Sequence, residues 1–328
     1  MSRAKETATS KRVSIPERDI SVAIIHPSGR VDKICRPLAT TGIEVSVDPD
    51  DAYEHDIVLF DKPGREMAKP LLRRGFVDAK VVYRMRGDFY REYDLEELHP
   101  LKQAIATQVL LPRLDGCLAV CRTFSSMIAR RSRVSPVGIA GLPVCLNDWP
   151  TVEHSSDSLR LVTLTNAHYH EKIQPIVDFA PGVDRCLGRD DVWRVCGTGE
   201  YSDRLADALG QYDHIRFEGF ANAAEVLSES NCMLHPSNLD GLPNSILEAM
   251  ASRLPVITND FRVFVEFDGP ITTVSNEAEL AAALRRARTP DWRAAFGEAG
   301  WWYVRENHTP ERVGRQYVEF FERVLSDG

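Results

Sequence analysis

The chain has 328 residues, 43% hydrophobic and 27% charged, with a formal net charge of -8. That length suits two α/β domains of about 150 residues each rather than one core, and the composition is that of a soluble globular protein. The acidic balance argues against a dedicated nucleic-acid binder, which needs clustered Lys and Arg, and no apolar run reaches the roughly 18 residues of a membrane span.

Residues 1–18 have no apolar segment of the kind a secretory signal carries, and they read as a disordered tail. Apolar runs bounded by turn residues follow at 20–26, 43–47, 56–60, 79–84 and 116–120. Helical patterns fall between several of them, near 65–74, 99–111 and 123–131. Strands alternating with helices predict a mostly parallel sheet covered on both faces.

The stretch 135–157 holds three prolines, two glycines and the polar run TVEHSSDS. It has no sustained period and reads as the linker between domains. The alternation resumes with strands at 159–164, 191–196, 214–218, 231–235, 255–258 and 271–274. The chain closes on helices near 277–288, 291–306 and 310–325. The predicted units are a first domain over 19–145, a second over 146–308, and a helix over 309–328. Ligands of such sheets bind in the cleft outside the carboxyl ends of the strands.

Seven cysteines, Cys35, Cys117, Cys121, Cys145, Cys186, Cys196 and Cys232, are scattered along the chain. Cys117 and Cys121 are four apart, but no His or Cys follows at zinc spacing. Several fall in or beside predicted strands, so all are read as reduced and structural in a cytoplasmic protein.

The most informative stretch is HPSNLDGLPNSILEAMASRLPVITND, from His235 to Asp260. An apolar run ends at His235, and Asn238-Leu239-Asp240-Gly241 has loop composition. Pro243 suits a first helical turn, where its missing N–H costs nothing. Ile246, Leu247, Met250, Ala251 and Leu254 then recur at helical spacing. A loop leading from a strand into a helix N-terminus favours anions, phosphate above all. Asp240 stands in that loop and Glu248 a turn and a half into the helix. Ser245, Glu248 and Ser252 also share one face, which spacing alone allows to be solvated.

This segment resembles the GT-B glycosyltransferases of the retaining kind grouped as family 4, the glycosyl transferases group 1. Their pattern PSxxEGxPxxxLEAMAxGxPVI is met by Pro236-Ser237, Asp240-Gly241, Pro243, Leu247-Glu248-Ala249-Met250-Ala251 and Pro255-Val256-Ile257. The resemblance implies two Rossmann-like domains facing a cleft, with a C-terminal helix crossing back to the first. It also implies a nucleotide-sugar donor, a carbohydrate or lipid-linked acceptor, and no metal or other cofactor. Asp240 would hydrogen-bond the donor sugar and Glu248 the ribose hydroxyls, since a carboxylate offers two acceptor oxygens to a diol. The amides of Gly241, Leu242, Pro243 and Asn244 mark the helix start that would meet the sugar or diphosphate; Pro243 itself has no N–H. Lys172 matches the lysine that stabilises the departing nucleotide. Gly197 and Gly199 match a strand ending in G-x-G, which alone reads as a tight turn.

The sequence departs from the family at several places. Asp240 replaces a Glu, shortening its reach by roughly 1.5 Å. Asn166 stands where an Arg grips the diphosphate, and Arg253 where a Gly follows the helix, so a different C-cap is expected. In the first domain only Ser28 and Gly29, within His26-Pro27-Ser28-Gly29-Arg30, represent a glycine-rich loop. These departures keep a non-catalytic, sugar-nucleotide-binding or scaffold protein as the alternative. Asp88, after Arg84-Met85-Arg86-Gly87, is the candidate contact to the acceptor hydroxyl or donor sugar, with a surface pair as its plain reading. Arg130, Arg131 and Arg133, with Met127 and Ile128, suggest peripheral docking on the inner membrane face; a solvated helix end competes. Nucleic acid is not expected as a partner.

Overall fold

The computed structural model describes residues 19–26, 31–48, 50–61, 67–68, 71, 78–87 and 104–326. The first sheet contains β1 (Ser21–Ile25), β2 (Glu44–Ser46), β3 (Ile57–Phe60), β4 (Lys80–Met85), β5 (Gly116–Ala119) and β6 (Val137–Ile139), ordered β2-β1-β3-β4-β5-β6. The second contains β7 (Arg160–Leu164), β8 (Val192–Cys196), β9 (Ile215–Gly219), β10 (Cys232–Leu234), β11 (Val256–Asn259) and β12 (Thr272–Val274), ordered β12-β11-β10-β7-β8-β9. Every pairing described in both sheets is parallel. Helices α1 (Asp32–Ala39) and α2 (Arg122–Arg131) accompany the first sheet. The second has α3 (His170–Cys186), α4 (Ser202–Leu209), α5 (Ala223–Ser228), α6 (Asn244–Ala251), α7 (Arg262–Val265), α8 (Glu277–Ala287) and α9 (Pro290–Asn307), and α10 (Pro310–Ser326) ends the chain.

The strands read as continuous apolar runs because helices cover both faces of a parallel sheet. All of Ile57-Val58-Leu59-Phe60 is buried, as is Gly116-Cys117-Leu118-Ala119. This is the expected doubly wound α/β architecture, in two copies. The described cysteines are all free, and burial pushes the Cys232 thiol up to about 12.

Helix α10 packs on the first sheet, not the second. Its buried stripe, Val313, Tyr317, Phe320, Phe321 and Val324, joins Val22, Ile24, Ile57, Leu59 and Leu118 in one core. Glycines make room for it: a Cβ on Gly116 would lie 2.7 Å from Phe320 Cζ, and one on Gly138 would collide with the same ring. Each buried aromatic of this kind contributes about 1.5–3 kcal/mol, so the crossing helix is part of the first domain's core.

Three sequence readings change. Part of the stretch read as linker is β6, which pairs with β5 through Cys117↔Val137 and Ala119↔Ile139. Its three residues, bracketed by Pro136 and Ala140 and split by Gly138, are too few to carry a period. Met127 and Ile128 are buried at 7% and 3% exposure, so no apolar docking face accompanies the exposed Arg130, Arg131 and Arg133. At the end of α6 the C-cap keeps the glycine-type geometry despite Arg253. This residue takes φ 62°, its N–H donates to Met250 O at 3.0 Å, and Leu254 N–H donates to Ala249 O at 2.9 Å. These are the paired bonds of a Schellman cap, and the Arg253 side chain lies over the Trp301 ring at 4.7 Å.

The tail 1–18 and most of the helix read near 65–74 lie outside the described residues. Among the described residues, no helix is long and apolar enough to cross a membrane.

Candidate active site

The loop from His235 to Pro243 joins β10 to α6 at the carboxyl edge of the second sheet. Side chains and backbone of neighbouring loops fix its course. Ser237 N–H donates to Asn259 Oδ1 at 2.9 Å, Asn259 Nδ2 donates to Asn238 Oδ1 at 2.9 Å, and Asn238 N–H donates to Glu171 O at 3.1 Å. Pro243 stands one residue before the helix as its N-cap, with φ -68°, and Asn244 begins it. The first-turn N–H groups of α6 have no partner inside the helix and face the cleft end of the sheet.

Asp240 is held from two sides. Its Oδ1 accepts from Lys172 Nζ at 2.6 Å, and its Oδ2 lies 3.1 Å from His235 Nε2. Lys172 comes from the first turn of α3, and His235 from the end of β10. Burial alone would raise the Asp240 pKa, but the His235 hydrogen bond and the Lys172 charge hold it well below the carboxylate range. The three side chains are between 3% and 16% exposed. The result is an ionised carboxylate orienting an ammonium group beside a helix N-terminus.

Glu248 is 17% exposed and Ser252 fully buried, so this face of α6 is not a solvated one. Across the cleft, Lys33 Nζ of α1 lies 3.6 Å from Glu248 Oε1. Burial raises the Glu248 pKa, and Lys33 opposes that rise.

Gly197 and Gly199 serve the loop that carries Asn166. A Cβ on either would run into the backbone of Thr165 or Ala167, while Ala167 N–H donates to Thr198 O at 2.9 Å. Asn166 is exposed in that loop. Leu242 is buried at 6% exposure. Gly241 closes the cleft: a Cβ there would lie 2.6 Å from Arg86 O and 2.8 Å from Phe124 Cε2, both in the first domain.

On the first domain, a cluster around the buried Asp61 and Arg84 lies at the carboxyl ends of β1, β3 and β4. Asp61 Oδ1 accepts from Arg84 Nη1 at 2.6 Å, and its Oδ2 lies 3.2 Å from Arg86 Nε and 3.3 Å from His26 Nε2. The candidates Ser28, Gly29 and Asp88 lie outside the described residues. His235, Lys33 and Asp61 were not singled out from sequence, and Arg86 stood there only in the stretch leading to Asp88. His235 had a signal, five residues before Asp240 at a strand end, but Lys33 meets Glu248 only through the fold.

Comparison with known proteins gives the family of the chain. Residues 141–289, which contain Lys172, Asp240 and Glu248, match the family model described as "Glycosyl transferases group 1". A viral protein (isolate Australia/Victoria), named "Putative glycosyltransferase ORF31", is 40% identical over 312 residues, covering 94% of this chain and 99% of its own. The chain belongs to the group 1 glycosyltransferases. Solved structures similar to this glycosyltransferase agree on its fold. Sucrose-phosphate synthase from Thermosynechococcus elongatus aligns with a TM-score of 0.75 at 13% identity, over 95% of this chain and 100% of its own. Anabaena Alr3699/HepE gives 0.73 at 13% identity, over 92% and 99%. TarM from S. aureus gives 0.65 at 14% identity over 81% of this glycosyltransferase, which spans 55% of the TarM chain.

Proposed function

We propose that this glycosyltransferase is a retaining enzyme of the family 4 kind. It would move a sugar from a nucleotide-sugar donor on the second domain to a carbohydrate or lipid-linked acceptor presented by the first. The observation that carries the reading is the Lys172–Asp240–His235 arrangement at the start of α6, with Glu248 one to two turns on. The similar structures of HepE were obtained with UDP and glucose and with UDP-glucose, and that of TarM with UDP and alpha-GlcNAc-glycerol. These support a nucleotide-sugar donor and a sugar-bearing acceptor here.

The chemistry follows from where charge develops. The bond between the sugar's anomeric carbon and the β-phosphate oxygen breaks, leaving negative charge on the diphosphate. Lys172, fixed by Asp240, and the N–H groups at the start of α6 offset that charge. The acceptor oxygen attacks the anomeric carbon from the face the phosphate leaves, and its proton passes to the departing phosphate oxygen. Such a route needs no separate base and no metal. Glu248 accepts hydrogen bonds from the ribose diol. The enzyme would work in the cytoplasm; with a lipid-linked acceptor, Arg130, Arg131 and Arg133 would meet anionic lipid at the inner membrane face.

The test is proton NMR of UDP-, GDP-, ADP- and dTDP-sugars incubated with the protein in EDTA. Slow hydrolysis releasing first the anomer of the donor's own configuration, lost in Lys172→Met, supports the reading. Intact donor with every acceptor tried would favour the non-catalytic alternative, and release of the opposite anomer would contradict retention.

A further inference from the structure

The family match covers 141–289 and leaves the first domain's cleft wall unassigned. That wall is cationic. Lys33 and Arg86 have side chains 50% and 48% exposed, and the buried Arg84 stands beside them. Among the described residues, Asp61 is the first-domain carboxylate that Arg84 and Arg86 contact. Two geometric facts bring this wall to the donor loop. Lys33 Nζ lies 3.6 Å from Glu248, an ion pair longer than a hydrogen bond, and the Arg86 carbonyl abuts Gly241.

The second domain's own wall is short of positive charge. Lys172 is matched by Asp240, Glu248 adds a further negative charge, and Asn166 is neutral. A nucleoside diphosphate brings two or more negative charges into this cleft, which cations and helix N–H groups together must offset. We infer that Lys33 and Arg86 bind the donor's diphosphate from across the cleft, so that the first domain supplies charge the second lacks. The inference rests on the donor site proposed above. Buried Asp61 holds the Arg86 guanidinium in place, with its other oxygen committed to Arg84.

The test compares nucleoside diphosphates with their nucleosides. Calorimetry with UDP, GDP, ADP and dTDP selects the diphosphate that binds, and ligand-observed NMR titration reads the weaker binding of its nucleoside. Lys33→Met and Arg86→Met should each weaken the diphosphate roughly tenfold, the loss typical of one charge-assisted contact. Nucleoside affinity should stay within about threefold for Arg86→Met, and Lys33→Met, which also frees the ribose-binding Glu248, should cost the diphosphate more than the nucleoside. Lys33→Arg should recover most of the loss, and rising salt should weaken the wild type more than the double variant. Melting curves within a few degrees of wild type confirm that the variants fold. Equal loss of diphosphate and nucleoside, or no loss of either, would overturn the inference. If Glu248→Ala abolishes binding while the Lys33 and Arg86 variants bind as wild type, only this inference falls. If the wild type binds none of the four diphosphates, the donor site falls with it.

Discussion

Lys172 and Asp240, 68 residues apart in sequence, are joined by a 2.6 Å ion pair at the carboxyl edge of the second sheet. Parallel β7 and β10 are neighbours in that sheet, so the residues that follow each strand emerge side by side. An α/β sheet builds its ligand site from such adjacent loops.

The pair should act as one unit. Lys172→Met is expected to lower kcat by roughly 10²–10³. Asp240→Asn should also lower it, and the double variant little further, because each change removes the same oriented ammonium. Steady-state kinetics of the double-mutant cycle measure this; additive losses would show that the two act separately.

His235 should work through Asp240. His235→Ala removes the 3.1 Å contact to Oδ2 and leaves the lysine contact in place. We expect kcat to drop roughly tenfold with donor KM little changed, the cost of a loosened positioning contact. A rise in KM without loss of kcat would contradict that role.

Gly241 tests closure of the cleft. Gly241→Ala places a Cβ against Arg86 O and the Phe124 ring, across the domain boundary. The cleft can relieve the clash by opening, so stability should change by under about 1 kcal/mol. Donor kcat/KM should fall tenfold or more. A large loss of melting temperature would place the clash within a domain instead.

His308 predicts a pH dependence of stability. Burial lowers its pKa to about 4, although its Nδ1 lies 3.0 Å from Leu142 O. An unfolded histidine titrates near 6.5. Between these values the unfolded state holds more protons, so stability rises with pH across the window. The neutral ring's contribution is complete above about 6.5 and lost as pH falls toward 4, a change of about 3 kcal/mol. Melting temperatures at stepped pH should fall more steeply for wild type than for His308→Gln; parallel curves would contradict the assignment.

The sequence showed most of this architecture because buried parallel strands leave uninterrupted apolar runs. It missed β6, whose three residues include a glycine that makes room for Phe320. Within the donor loop, Asp240 and Glu248 were legible from fixed spacing in one short segment. Two of their partners were not: Lys33 reaches Glu248 only after the two domains face each other, and His235 looked like a strand end. The Arg253 cap shows a further limit. Spacing identified an unusual residue, but the backbone bonds that keep the left-handed turn are set by the surrounding packing.

The most direct measurement is thermal unfolding of the wild type and Glu248→Ala with UDP, GDP, ADP, dTDP and their sugar conjugates. A ligand at 100 times its Kd adds about 2.7 kcal/mol, roughly 5 °C or more for domains of this size. Stabilisation by one nucleotide class, lost in Glu248→Ala, is the result expected of a donor site on α6. A folded wild-type protein that none of these ligands stabilises, or a variant stabilised as strongly as wild type, would contradict it.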